Sequence, residues 1–130
     1  MKPKLLLTIA AIFNGLVGIG YLLAPSIMLV SNVLSHAQGG ILETTLNTGM
    51  RGLASNFLGF AVLNWVARNT EVSKARDAIF ISNTVVFTLA AVLNGVAAMR
   101  VGIAPGFVVA GINLIFAILF FFTGRQNRSS

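Results

Sequence analysis

The sequence contains no cysteine, three acidic residues and a single histidine among its 130 residues. The lack of cysteine excludes disulfides, thiol nucleophiles, iron–sulfur clusters and cysteine-based zinc sites. His36 and Glu43 alone cannot supply a metal-ligand set. No group of residues able to move protons, attack a substrate or hold a metal is recognisable. The sequence therefore favours a protein with no catalytic residues, no metal and no cofactor.

Charged residues make up 9% of the chain and hydrophobic residues 56%, with a mean hydropathy of +0.88. In soluble domains about a quarter of residues are charged. The apolar residues form four blocks, each near the roughly 20 residues that a helix needs to cross a bilayer. We expect the first block to be retained, because it is longer than a signal-peptide core and lacks a small-x-small exit. The pattern predicts an all-α integral membrane four-helix bundle, one domain over 1–130, with spans at about 5–24, 48–67, 78–99 and 101–123.

Basic residues are distributed unevenly between the two predicted sides of the membrane. Lys and Arg near span ends stay on the cytoplasmic side. Seven of the nine basic residues share one side, namely Lys2, Lys4, Arg68, Lys74, Arg76, Arg125 and Arg128. This predicts a multi-pass membrane protein with both termini cytoplasmic. No basic patch interleaved with aromatic residues suggests nucleic-acid binding, so the lipid bilayer is the expected partner of these charges.

The first outer connection, residues 25–47, is the one long loop of this layout. Pro25 can begin a helix, and Ile27, Val30 and Leu34 recur at helical spacing before two glycines. We expect a short interfacial helix over 26–37, the alternative being a loop packed over the mouth of the bundle.

The third connection, residues 100–106, is so short that the third and fourth helices must be antiparallel neighbours. Pro105 suits the first turn of the fourth helix, and Asp77 suits the positive N-terminal end of the third. Residues 8–15 also match residues 88–95 at Thr, both Ala, Asn and Gly. This match indicates either a duplicated helical hairpin or a chance resemblance between apolar spans.

Asparagine is the most informative polar residue of the predicted spans. An amide in hydrocarbon needs a hydrogen-bonding partner and usually faces neighbouring helices. Six asparagines fall in three loose tiers of depth, namely Asn56 and Asn94, then Asn14 and Asn113, then Asn64 and Asn83. They are either interhelical contacts or the polar lining of a ligand cavity.

Small residues recur on one face of several spans, where they allow helices to approach closely. The longest such face lies on the fourth helix and consists of Gly102, Gly106, Ala110, Asn113 and Ala117. Shorter versions are formed by Ser55 with Gly59 and by Ala91 with Gly95. These faces predict close packing against helices of the same chain or of a partner.

Arg51 is the sharpest single candidate for a functional side chain. A second helix that begins near Leu46 buries Arg51 about one turn below the outer surface, and cations within a membrane often mark a site. Its planar donor set suits the head of an anionic or carbonyl-bearing lipophile, whereas the alternative is that it extends to the lipid headgroups. The full candidate ligand set, at an outer-facing cavity, is Arg51, Asn56, Asn94, Asn14 and Asn113.

The layout resembles small four-span bacterial inner-membrane proteins of the DoxX-like group. The resembling motifs are Ala24-Pro25 before an amphipathic stretch and, in the second helix, residues 51–53, 58–60 and 63–65. The resemblance implies a membrane subunit, in some members one linked to quinone-dependent oxidoreductases, and supplies no catalytic residues. The spans carry no interior carboxylate, unlike small multidrug transporters.

Two functions from different classes follow from these patterns. The first is a non-catalytic accessory or structural subunit whose small-residue helix faces associate with another membrane protein or a second copy of the chain. The alternative is a binder or carrier of a lipophilic small molecule, such as a quinone or lipid, in an outer-facing cavity.

Overall fold

The computed structural model describes residues 2–25, 41–101 and 104–128. In these segments the chain forms four α-helices, which are α1 (Pro3–Leu23), α2 (Ile41–Ala67), α3 (Lys74–Val101) and α4 (Ala104–Arg128). The predicted all-α class is confirmed. The expected interfacial helix over 26–37 and Gly102 lie outside the described residues.

Three of the four helices are long and apolar enough to cross a membrane, over Pro3–Leu23, Lys74–Arg100 and Ala104–Gln126. The 27-residue α2 is long enough but not sufficiently apolar. Arg51, Asn56 and Asn64 reduce its hydropathy, because each is strongly polar. Three helices are thus long and apolar enough to span a membrane, whereas the sequence predicts four spans. The crossing by α2 stays a prediction.

The helix boundaries depart from the predicted ones most at the start of α2. The predicted outer loop ran to residue 47, but α2 begins at Ile41. The predicted start of the span at residue 48 stays a prediction, because hydropathy measures the length of chain suited to lipid, not the length of helix. No glycine or proline interrupts residues 41–48, so the helix continues beyond its apolar part.

The described chain divides into two compact units, Met1–Leu7 with Ala67–Ser130 and Thr8–Val66. In the first unit α3 and α4 pack closely as antiparallel neighbours, as the short connection predicts. Gly106 lies against Ala98, whereas Gly124 lies against Phe80 near the other end of the pair. Pro105 is the second residue of α4. The predicted antiparallel pair is confirmed.

Phenylalanine rings fill the centre of this antiparallel pair. The Phe87 ring stacks on Phe116, with centroids 4.8 Å apart, and on Phe120 at 5.7 Å. The Phe80 ring meets Phe120 edge-on at 5.5 Å. Phe80, Phe87 and Phe120 are nearly inaccessible to solvent. Offset and edge-on aromatic pairs add about 0.5–1.5 kcal/mol each beyond the area that they bury, so this cluster fixes the register of α3 against α4.

The N-terminus of α3 is capped by Ser73. The Ser73 hydroxyl oxygen accepts a hydrogen bond from the backbone N–H of Arg76 at 3.2 Å. Asp77 lies in the first turn and Arg100 in the last, where each charge complements the helix dipole. The expected position of Asp77 is confirmed.

Replacing Ser73 by alanine should lower the free energy of unfolding by about 1 kcal/mol, because one orphan N–H of the first turn loses its acceptor. The measurement is unfolding of the detergent-purified protein followed by circular dichroism. Ser82→Ala, at an exposed position inside the same helix, is the control and should leave stability unchanged or slightly higher. Equal losses in both variants would contradict a capping role.

The second unit, Thr8–Val66, contains most of α1 and of α2. A Cβ on Gly18 would lie 2.9 Å from the Leu58 side chain and 3.1 Å from the Leu58 backbone nitrogen, so only glycine permits this approach. Further along α1, the Tyr21 ring stacks on Phe57 with centroids 5.6 Å apart. The contacts follow α1 forward and α2 backward, which makes this pair antiparallel as well.

Candidate functional site

Helix α2 has two faces of different character. The face toward α1 carries Ala54, which is fully buried, together with Leu58 and Ala61. On the opposite side Gly52 and Gly59 have no neighbouring atom within 4 Å of an added Cβ among the described residues. Ser55 and Asn56 are exposed on the same side. We call Gly52, Ser55, Asn56 and Gly59 the open face of α2.

The open face of α2 forms a shallow groove of about 210 Å³ lined by Ser55, Asn56, Gly59, Phe60 and Leu63. Glycine in the interior of a helix costs stability relative to alanine by up to about 1 kcal/mol. At Gly18 the missing side chain allows Leu58 to pack closely. At Gly52 and Gly59 no atom of the described chain occupies the space that a side chain would fill.

Asn56 differs in its hydrogen bonding from the three asparagines of α3 and α4. The side-chain amides of Asn83, Asn94 and Asn113 each donate to the backbone carbonyl four residues earlier, at 2.7–2.9 Å. The exposed Asn56 side chain forms no hydrogen bond with the residues that the structure describes. Its amide is therefore free to bond outside the described chain.

The predicted ligand residues are divided between the two units. Arg51, Asn56 and Asn14 belong to Thr8–Val66, whereas Asn94 and Asn113 belong to the other unit. Arg51 is exposed, whereas Asn14 and Asn113 are buried. The sequence predicts that these residues line one outer-facing cavity, and this stays a prediction. The three tiers of interhelical amides stay a prediction as well.

The small-residue face of α4 is occupied within the chain. A Cβ on Gly106 would lie 2.8 Å from the Ala98 Cβ, and one on Gly95 would lie 3.8 Å from the Ala110 Cβ. Ala117 is buried. The sequence predicts close packing here but not which helix provides it; in the structure α3 does so, and this part of the face is not free for a partner. Ala91, the remaining predicted packing residue, is half-buried.

A second concave feature lies between α3 and α4, near the N-terminus of α3 and the C-terminus of α4. The cavity has a volume of about 270 Å³. Its walls are almost wholly apolar and come from Phe80, Ile81, Thr84, Val85, Phe120 and Phe121. The Thr84 hydroxyl donates to the Phe80 carbonyl at 2.8 Å, so this residue adds no unsatisfied hydroxyl to the wall. We call this space the α3–α4 cavity.

One arginine lines the α3–α4 cavity and a second lies close to one of its aromatic residues. Arg125 lines it directly, with its guanidinium carbon 5.5 Å from the Phe121 ring centroid. The Arg76 guanidinium lies 6.0 Å from the Phe80 ring centroid and donates to the Thr70 carbonyl at 2.9 Å. The lining of the apolar cavity therefore includes one cation, Arg125, while Arg76 lies close to the ring of Phe80, another lining residue.

Within the described segments no group of three or more histidine, aspartate or glutamate side chains is placed to hold a metal ion. The sequence pattern does not distinguish Gly18, Gly124, Phe80 or Arg125, which the structure places at helix contacts or in the lining of the α3–α4 cavity. The signal for Gly18 was a glycine three residues after Gly15 within a span. No sequence signal distinguishes Arg125 from the other basic residues at span ends.

No protein-family model, curated protein or solved structure matches the chain. The resemblance to DoxX-like proteins stays a prediction that rests on the motifs quoted above.

Proposed function

We propose that this chain is a multi-pass protein of the bacterial inner membrane, with both termini cytoplasmic, that acts as a non-catalytic subunit. It associates through the open face of α2 with a helix of a second copy or of another membrane protein. The observation that carries this proposal is the exposed Asn56 amide between two open glycines.

The energetic argument depends on where Asn56 lies in the bilayer. An amide that faces lipid without a partner is costly, whereas an amide between helices gains about 0.6–2 kcal/mol for its hydrogen bond. Small residues on either side allow a second backbone to approach closely enough for that bond. Gly52 and Gly59 provide this room one turn before and after Asn56.

The polar character of α2 supports the same interpretation. A helix that crosses a membrane within an assembly tolerates polar residues because partner helices, rather than lipid, cover them. Asn64 is fully buried, so the chain itself covers one amide. A partner helix would cover the other.

The test replaces Gly59 by leucine and measures the mass of the gently extracted assembly by native mass spectrometry. We expect loss of the partner subunit, because the leucine side chain fills the groove. Gly111→Leu is the matched control, since a Cβ on Gly111 also meets no atom within 4 Å in the described chain but lies on α4. Its assembly should keep the wild-type mass.

Asn56→Leu separates an interface from a lipid-facing helix. In an interface the loss of one amide bond should weaken association by about 3- to 30-fold. On a lipid-facing surface leucine should be neutral or stabilising. A wild-type mass for both Gly59→Leu and Asn56→Leu would contradict the proposed association.

A further inference from the structure

We propose that the α3–α4 cavity binds one acyl chain of an anionic phospholipid, whose phosphate pairs with Arg125. This inference rests on the membrane location proposed above but not on the association through α2. It concerns a site distinct from the outer-facing candidate set around Arg51.

The apolar walls favour a hydrocarbon occupant. Phe80 and Phe120 form the buried side of the cavity, whereas Ile81 and Val85 are about half exposed and leave it open laterally. In a membrane this open side gives access to lipid chains. Because the Thr84 hydroxyl donates its hydrogen within its own helix, it offers no free hydrogen-bond donor to a polar ligand.

The size of the cavity selects among apolar occupants. A volume of about 270 Å³ lies at or below the lower end of the range for small-molecule pockets, about 300–1,000 Å³. A transmembrane helix, about 10 Å across with side chains, needs a longer groove. One segment of a flexible acyl chain fits a short, narrow and laterally open space.

The charge at one end specifies the headgroup. Arg125 makes no ion pair with the described part of the chain. The Nε atom of Arg76 is buried and has no hydrogen-bond acceptor within that part. A planar guanidinium suits the two oxygens of a phosphate. Arg125 therefore offers unused guanidinium donors near the point where a lipid phosphate would lie if its chain occupied the cavity, whereas the buried Arg76 Nε is not accessible to that phosphate.

The position of these cations agrees with the distribution of charge along the chain. Arg76 follows the start of α3 and Arg125 precedes the end of α4, so both lie at span ends rather than at mid-depth. Anionic lipids attract basic residues at such positions. A cavity that leads from the headgroup level into the span matches the geometry of one lipid molecule.

The test uses native mass spectrometry of the detergent-purified full chain after delipidation. The probes are phosphatidylglycerol, phosphatidylcholine with the same acyl chains, and glycerol phosphate without chains. We expect phosphatidylglycerol adducts on the wild type and at least about tenfold weaker binding by Arg125→Gln, since a hydrogen bond to a charged group is lost. Arg100→Gln, at the opposite end of α3, is the control and should bind as the wild type does.

A second pair of variants tests the cavity without changing charge. Thr84→Trp should fill the α3–α4 cavity and weaken phosphatidylglycerol binding. Thr88→Trp is matched to it, because Thr88 also donates to the carbonyl four residues earlier and is exposed outside the cavity. Circular dichroism of each variant confirms that the helices have formed.

The possible results separate the alternatives. Equal binding of phosphatidylcholine, or unchanged binding by both Arg125→Gln and Thr84→Trp, would overturn the proposal. Binding of glycerol phosphate as tightly as phosphatidylglycerol would overturn the acyl-chain part and indicate a free-phosphate site. The same spectra report assembly mass, so failure of the α2 interface and failure of the lipid site are distinguishable. Recovery of the chain in the soluble fraction would overturn the membrane location itself.

Discussion

Replacing Phe120 by alanine is expected to lower the free energy of unfolding by about 3 kcal/mol or more, the range for a buried aromatic residue truncated in a packed core. The Phe120 ring is fully buried and contacts both Phe80 and Phe87. Removal leaves a void between α3 and α4 and breaks two aromatic pairs. Unfolding of the purified protein by titration with a denaturing detergent, followed by circular dichroism, measures the loss.

Phe122→Ala provides the control for this prediction. Phe122 lies on the same helix, 59% of its surface is exposed, and its ring contacts only the neighbouring Phe121 among the described rings. Truncation there should cost a fraction of the Phe120→Ala loss, since no void forms between helices. Similar losses in the two variants would show that the aromatic cluster does not hold α3 against α4.

Gly106→Ala is expected to destabilise the protein, although helix propensity alone predicts the opposite sign. Alanine in a helix interior is favoured over glycine by up to about 1 kcal/mol. At Gly106, however, the new Cβ would lie 2.8 Å from the Ala98 Cβ and 3.4 Å from the Ala98 Cα. Neither atom is the end of a flexible side chain, so the helices must separate, at a cost of about 1–3 kcal/mol.

Two further variants identify steric contact as the cause. Gly111→Ala, at a position with no neighbour within 4 Å in the described chain, should be neutral or stabilising. The double substitution Gly106→Ala with Ala98→Gly moves the methyl group to the other helix and should recover part of the loss. If the double variant were less stable than the sum of the two single effects, the clash would not explain the result.

The helices and the antiparallel packing of α3 and α4 could be predicted from the sequence, because both depend on local rules. Apolar length predicts where a chain suits lipid, and a connection of a few residues determines the direction of the next helix. The start of α2 at Ile41 could not be obtained in this way. A helix continues into polar sequence as long as no residue ends it, and hydropathy does not detect this.

The assignment of partners to small residues could not be predicted. Gly106 and Gly59 carry the same pattern in the sequence, a small residue four positions from another. The structure places Gly106 against Ala98 and leaves Gly59 open. Whether another helix packs against a given glycine depends on how each helix is rotated about its own axis. Bulky residues such as Leu58 and Phe120 determine that rotation.

The sequence pattern also could not predict which arginine lies at a cavity. Arg51 is conspicuous because it falls inside a predicted span, whereas Arg125 follows a span in the usual position for a cytoplasmic basic residue. Only the structure shows that Arg125 lines an apolar cavity beside the Phe121 ring. Arg125 therefore becomes a candidate ligand-binding residue only when the side chains around it are known.

The hydrogen bonds from side chains back to their own helices bear on how the chain enters the bilayer. Asn83, Asn94 and Thr84 donate to carbonyls within α3, and Asn113 does so within α4. A helix that satisfies such donors internally can leave the translocation machinery before its neighbours have been synthesised. Asn56 has no such bond in the described chain. In the proposed four-span arrangement, the Asn56 amide of α2 would therefore need a companion helix when the chain inserts.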